Sequence, residues 1–378
     1  MQKVTLILLS VIASQCLVLS NARAADDLTN LLDQSSGEPE NVQRYVCDEF
    51  VEPIIEIAYG SRYTDESITR ADYDEASNAE VNRVLKPIDD FSRTLVVLSN
   101  NAVRLKSKRE RNTYCVVDMV YQWARADALS IQETINVKMS IPARYGSIAS
   151  AIAQLDIQND PQYLHKNQVI QAWLEKRAFE TVEFFNNEAP GGVPRANLRG
   201  WASLAVTQVG LLYQNQELIN WGILSNEYIL SFIDEDGSHP DEMRRGNLAL
   251  HYQLHAAAPL SKSTALLVDA GFREQLNFLH KLDSLVEFTT EALKDPTLVE
   301  QKFDIEQTIS GGIDSVKPFM LAWVEAYLSV NCNPNLDNEV KHLRPLSNSK
   351  IGGNLTLLHH GSLDVYKACN SIEGKQRT

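Results

Sequence analysis

Apolar residues recur at helical spacing through most of the chain. Val169, Ile170, Trp173, Leu174, Ala178 and Val182 fall on one face of a 3.6-residue repeat. Trp201, Leu204, Ala205, Leu211 and Leu212 do the same, as do Leu218, Trp221, Leu224 and Tyr228. Phe91 to Val103 and Tyr114 to Leu129 predict an earlier helix pair, Leu266 to Ala292 one or two helices, and Met320 to Val330 another. Runs of alternating β-branched residues are scarce. The breaks are short: Asn159-Asp160-Pro161, Gly191-Gly192-Val193-Pro194 and Asp236-Gly237. Repeated helix–turn–helix pairs over this length predict an all-α fold, either a helical toroid or an α-solenoid. Two stretches depart from the pattern. Residues 59–79 are polar and rich in turn formers, with Arg62, Tyr63 and Tyr73 among them, and read as a lid or a surface insert. Residues 331–378 read as a loop-like tail.

The first 24 residues read as an export signal. Lys3 is followed by a mostly apolar run from Val4 to Leu19, and Ala22-Arg23-Ala24 sets a cleavage site before Ala25. Gln15 before Cys16 does not suit lipoprotein processing. The run is too short to span a bilayer well, so a periplasmic or secreted protein is expected, with residues 25–378 as a single domain. The net charge is −14, and −16 once Lys3 and Arg23 leave with the signal. That balance argues against nucleic acid and anionic lipid as partners. Of the five cysteines, Cys47, Cys115, Cys332 and Cys369 remain after cleavage. An even number in an exported chain predicts two disulfides, and Cys47–Cys115 with Cys332–Cys369 keeps each pair within one end of the chain.

The densest chemistry lies in Asp236 to His255, where a Gly-x-x-Pro turn leads into a predicted helix. Arg245 and Tyr252 are seven residues apart, which places them on one face at about 100° per residue. A guanidinium beside a phenol favours phenolate and so makes a base; an ordinary amphipathic helix would carry the same residues. Upstream, Asn197 and Arg199 open a helix that turns apolar at Trp201. An amide and a cation at a helix start can hold an anion, although Asn197 also suits a helix cap. Together the two stretches fit β-elimination from a uronic acid polymer. Donors aimed at the C6 carboxylate make the C5 proton removable, and a tyrosine can take that proton and return one to O4. The scheme needs no metal or cofactor.

Several blocks then resemble one family in order. G-S-R-Y-T-D-E-S resembles a lid loop carrying Ser-Lys-Tyr, and K-P-I-D-D-F-S-R the helix start after it. C-V-V-D-M-V-Y-Q-W-A-R-A-D-A-L resembles a cysteine-containing helix, with Cys115, Trp123 and Asp127 on the matching positions. A-N-L-R-G-W-A-S resembles Asn-Asn-His-x-x-Trp-Ala. D-G-S-H-P-D-E-M-R-R-G-N-L-A-L-H-Y and L-A-W-V-E-A-Y-L match later blocks. On these residues, about 55 to 330, the chain resembles the family-5 polysaccharide lyases, bacterial periplasmic alginate lyases that cut poly-β-D-mannuronate. The resemblance implies an incomplete α/α toroid with a long central cleft and a lid. It gives Tyr252 the acid/base role, Arg245 the role of the arginine beside it, and Asn197 carboxylate binding. Tyr63 and Arg62 would come from the lid, with Arg199, Arg244, Trp201 and His255 as further substrate contacts.

The chain departs from the family twice. The histidine after the asparagine is Leu198 here, and the histidine after the tyrosine is Gln253. Arg199, His251 or His255 would take over the missing function, and His255, three residues past Tyr252 on its face, is the preferred replacement. Otherwise Tyr252 serves both proton steps in a syn elimination, or catalysis is lost and the chain only binds polysaccharide. A glucuronan lyase of the same mechanism is a further alternative. Rival chemistries are a two-histidine metal site at His251 and His255, and a glycosidase using two of Asp234, Asp236, Asp241 and Glu242. The expected protein is a monomeric, cofactor-free polyuronate lyase with an acidic polysaccharide as its partner.

Overall fold

The computed structural model describes residues 45–47 and 51–360, together with Thr29 and Leu31. The export signal and Cys369 lie outside the described residues, and with them the Cys332–Cys369 pairing.

Helices dominate. In chain order they are α1 Glu75–Arg104, α2 Arg109–Arg125, α3 Ile135–Ser140, α4 Pro142–Ala153, α5 Leu164–Glu183, α6 Asn197–Leu212, α7 Gln216–Leu230, α8 Pro240–Met243, α9 Ala249–Asp269, α10 Leu279–Lys294, α11 Thr297–Phe303, α12 Trp323–Val330, α13 Pro334–Val340 and α14 Leu355–His360. Strand among the described residues is confined to two short pairs. β1 (Glu56–Ile57) runs parallel to β2 (Ile131–Gln132), and β3 (Ser347–Asn348) antiparallel to β4 (Gly353–Asn354).

The helices form the expected incomplete α/α toroid. α1, α4, α6, α9 and α12 follow one another around the inner side, each packed on the next. α2, α7 and α10 lie outside against α1, α6 and α9, and α5 packs on α2 and α6. The predicted apolar faces are the ones buried: Trp123, Trp173 and Trp323 are fully enclosed. Trp123 stacks on Phe91 with ring centroids 4.1 Å apart, and the Trp173 indole N–H donates to Ala128 O at 2.8 Å. A buried polar chain ties three helices together. Ser203 Oγ on α6 donates to Asn226 Oδ1 on α7 (2.8 Å), and Asn226 Nδ2 donates to Ser263 Oγ on α9 (2.7 Å). Satisfied polar contacts of this kind fix which helix faces meet. The Cys47–Cys115 disulfide fastens the segment before β1 to α2. No helix among the described residues is long and apolar enough to cross a membrane.

Two boundaries differ from the sequence reading. The polar stretch ends at Asp74, not residue 79, because the Asp74 carboxylate accepts the Ser77 N–H (2.7 Å) and caps α1. The region after 331 is folded through residue 360. Leu336, Val340, Leu346, Ile351 and Leu355 bury themselves against α12 and its neighbours. Their spacing is too irregular to register as a helical stripe.

Candidate active site

Arg245 and Tyr252 do meet, but not through a seven-residue repeat on one helix. α8 stops at Met243, Arg245 lies in the turn after it, and α9 starts only at Ala249. Gly246 takes a left-handed conformation (φ 55°) that breaks the helix. The turn folds Arg245 back, so its guanidinium carbon sits 3.5 Å from the centre of the Tyr252 ring.

The polar loop delivers the third member. The Tyr63 hydroxyl is hydrogen-bonded to that of Tyr252 and accepts from Arg245 Nη2 at 3.1 Å. Tyr63 stacks on Tyr73, with ring centroids 5.1 Å apart. Arg245 also donates to two loop carbonyls, Thr69 O (3.0 Å) and Arg70 O (2.6 Å). The loop is therefore an ordered cover for Tyr252. Arg245 Nη1 makes no hydrogen bond among the described residues.

Burial pushes the Tyr252 hydroxyl well above the usual tyrosine range, and this outweighs the lowering by Arg245. Burial thus favours the neutral phenol, against the phenolate that Arg245 alone would favour. His255 stands on the same face of α9, its ring centroid 5.8 Å from that of Tyr252 and 5.9 Å from that of Trp201. Burial, then the nearby His251, Lys350 and Arg245, hold His255 well below the usual histidine range, so its imidazole is neutral. The His251 ring lies 4.9 Å away, its own pKa also lowered by burial and by Arg245.

Asn197 is not a helix cap; Ala196 holds that position. The Asn197 backbone N–H and its Nδ2 donate to the two oxygens of Glu242, at 2.6 and 2.8 Å. The anion at the start of α6 is thus the protein's own carboxylate. Glu242 is buried, which pushes its pKa up against the lowering by His239 and by the donors from Asn197. It connects Asn197 to the Arg245 turn, since Arg245 N donates to Glu242 O (3.1 Å).

Other expected contacts lie elsewhere. Arg199 faces α7, with Nε donating to Ser225 Oγ (3.1 Å) and its guanidinium 4.9 Å from the Trp221 ring centre. Arg244 is exposed beside Asp241. Arg62 donates to the side-chain carbonyls of Asn78 and Asn82, both at 2.6 Å. Leu198 packs against the apolar core that contains Trp123 and Trp173. Gln253 is buried and structural: it accepts from His239 N (3.1 Å) and donates to Gly237 O (3.2 Å). Three of the four acids of the glycosidase alternative are occupied as well, Asp236 by Lys302 and Ser238, Asp241 by Arg195 and Glu242 by Asn197.

A cavity of about 550 Å³ opens beside this group, lined by Trp201, His255, Asp89, Arg93, Phe319 and Lys350 among others. Sequence reading missed Glu242 as the partner of Asn197, and it missed Lys350. No motif marks either, since both acquire their role from contacts distant in sequence.

The comparisons with known proteins fit this geometry. The profile of the alginate lyase family matches residues 56–298. An alginate lyase of Pseudomonas syringae pv. syringae (strain B728a) is 25% identical over 313 residues, covering 79% of this chain and 82% of that one. One of Cobetia marina is 24% identical over 266 residues, covering 68% of this chain and 69% of that one. The crystal structure of alginate lyase A1-III from Sphingomonas species A1 superimposes with a TM-score of 0.66 at 21% identity, covering 89% of this chain and 94% of that one. With the profile spanning well over half of the sequence and the fold shared, the chain belongs to the alginate lyase family and is a polysaccharide lyase.

Proposed function

We propose that the protein cleaves alginate by β-elimination, with mannuronate-rich stretches as the preferred substrate, and leaves 4,5-unsaturated uronides. The observation that carries the proposal is the pairing of Tyr252 and His255 on one face of α9, with their proton affinities pushed apart. A neutral phenol held above its usual pKa suits an acid, and an imidazole held below its own suits a base. Arg245, whose Nη1 has no hydrogen bond among the described residues, would neutralise the C6 carboxylate, and the Asn197 Nδ2 proton not given to Glu242 would donate to it.

The steps balance. His255 takes the C5 proton, the C–H electron pair becomes the C4–C5 double bond, and the C4–O4 bond breaks. Tyr252 gives its proton to O4. One proton then passes from the imidazolium to the phenolate to reset the site. Because both groups lie on one face of α9, H5 and O4 would leave from the same side, the relation found in a mannuronate-type unit. The family relatives named as alginate lyases support alginate as the polymer. A disulfide suits an oxidising compartment, which supports export to the periplasm or beyond.

The test is the ultraviolet absorbance of the unsaturated product on polymannuronate, polyguluronate and glucuronan in parallel. The expected result is a rise on polymannuronate that vanishes in Tyr252→Phe. A rise on glucuronan alone would replace alginate as the substrate. Binding with no rise on any polymer would leave a polysaccharide-binding protein.

A further inference from the structure

A second cavity, of about 490 Å³, shares no lining residue with the cleft cavity. The end of α1 forms one wall. The start of α2 brings Glu110, and the turn from α4 to α5 brings Asp156, Asp160 and Tyr163. Tyr45 closes the remaining side. Its segment is held in place, because Cys47, two residues on, is bonded to Cys115 of α2. The Tyr45 ring also packs on that of Tyr114, with centroids 5.7 Å apart. None of these residues belongs to the proton-transfer group on α9.

Two features of this cavity ask for a ligand. The first is charge. Among the described residues none of its three carboxylates has a cation partner. Glu110 Oε2 accepts from the Tyr45 hydroxyl (3.2 Å) and Asp160 Oδ1 from Gln162 N (2.9 Å), while the Asp156 carboxylate has no hydrogen bond. Arg109, the cation on the rim, turns its Nε to Ala102 O (3.3 Å) and pairs with none of them. The second is the Tyr163 hydroxyl. Tyr163 is only 7% exposed, yet its hydroxyl makes no hydrogen bond among the described residues. Burial, then Asp160, Tyr45, Tyr114 and Glu110, push it up to about 12, so the hydroxyl faces the acids. A buried phenol without a partner costs free energy, and carboxylates gathered without a counter-charge repel one another. One kind of ligand relieves both costs, a cation that carries N–H donors.

We propose that this cavity binds a small organic polycation of the polyamine class, whose ammonium groups donate to Glu110, Asp156, Asp160 and the Tyr163 hydroxyl. The Tyr45 and Tyr163 rings supply faces for the cation and for the methylenes between its charges. A single metal ion suits the site less well. No three metal-ligating side chains among the described residues stand where they could share one. Carboxylates spread over two elements match charges spaced along a chain, and the volume is that of a small-ligand site. An acidic polysaccharide is repelled here, so the site is independent of the lyase reading.

The test is calorimetric titration of spermidine, putrescine and calcium chloride into wild type, Tyr163→Phe and Asp156→Asn. Because the chain carries a net charge of −14, Glu274→Gln serves as a control: Glu274 is exposed and lies outside the cavity. The expected result is one saturable spermidine site, weaker for putrescine and weakened by salt. Loss of a charge-assisted contact predicts affinity about 10-fold or more lower in each cavity variant, with Glu274→Gln at the wild-type value. Spermidine should raise the melting temperature of wild type, and without ligand neither cavity variant should melt lower than wild type. The absence of a saturable spermidine site overturns the proposal. So does an affinity that no cavity variant changes, or that Glu274→Gln lowers equally, since either leaves only attraction to an acidic surface. Calcium that saturates the site and excludes spermidine replaces the polycation with a metal ion.

Discussion

The two walls of the cleft are built in opposite ways. On the α9 side every proton-transfer group is packed against another: Tyr252 under Arg245, Tyr63 on both, His255 against Trp201. Burial drives Tyr252 and His255 to their neutral forms. On the β3–β4 side the backbone is held by several hydrogen bonds, yet the Lys350 ammonium has no partner among the described residues. One wall keeps its two proton-transfer groups toward their neutral forms under Arg245; the other presents a lysine with no anion paired to it among the described residues. Low dielectric spreads pKa values apart on the first wall. On the second it strengthens whatever ion pair a ligand completes.

The largest way to break this contrast is Tyr252→Phe. Removing the acid is expected to lower kcat about 10³-fold or more, read as initial rate of ultraviolet absorbance on polymannuronate. Retention of more than a tenth of the rate would mean that the α9 wall does not do the chemistry. Arg245→Met comes next. It removes the charge over Tyr252 and releases Thr69, Arg70 and Tyr63 together. A loss of about 10²-fold in kcat/KM is expected, and limited proteolysis should cut within residues 59–74 more readily than in wild type. A smaller effect, confined to binding, is expected on the Lys350 side as pH rises. The ammonium is charged below about 8 and neutral above it, so the KM for polymannuronate should climb through that range while kcat holds. Arg144, Arg62, Arg93, Asp89 and His255 all face or act on Lys350, and of these only His255 has an ordinary pKa near neutrality, lowered well away from this range. A KM flat between pH 7 and 9 would take Lys350 out of substrate binding. The smallest effect belongs to Arg199→Met. Its guanidinium packs on Trp221 and Tyr228, away from both walls, so kcat/KM measured on folded protein should stay within about twofold of wild type.

The same contrast explains what could be read from the sequence. The inner and outer helices were legible because their buried stripes follow the 3.6-residue period, as in α5, α6 and α7. Tyr252 and Arg245 were legible as a pair, although for a reason the structure replaces: Gly246 ends the helix and the turn closes the distance. Asn197 was legible as a polar group at a helix start, but its partner Glu242 is 45 residues away and no local pattern joins them. Arg199 shows the converse. Its position suggests a site, and its burial between aromatic rings shows a packing role. Lys350 was illegible because its meaning depends on Arg144 having already claimed Asp89. Residues 331–360 look like a tail in sequence, yet they bring the second wall into place.

The central claim is that a neutral His255 and a neutral Tyr252 divide the two proton steps. The most direct measurement is the pH profile of kcat/KM on polymannuronate for wild type and His255→Gln. In wild type the base must be unprotonated, so the rate should hold through pH 6.5 and fall only at lower pH, as His255 gains its proton. His255→Gln should be about 10²-fold slower throughout and should lack that acidic limb. A His255→Gln enzyme that keeps both the wild-type rate and the limb would contradict the division and return both proton steps to Tyr252.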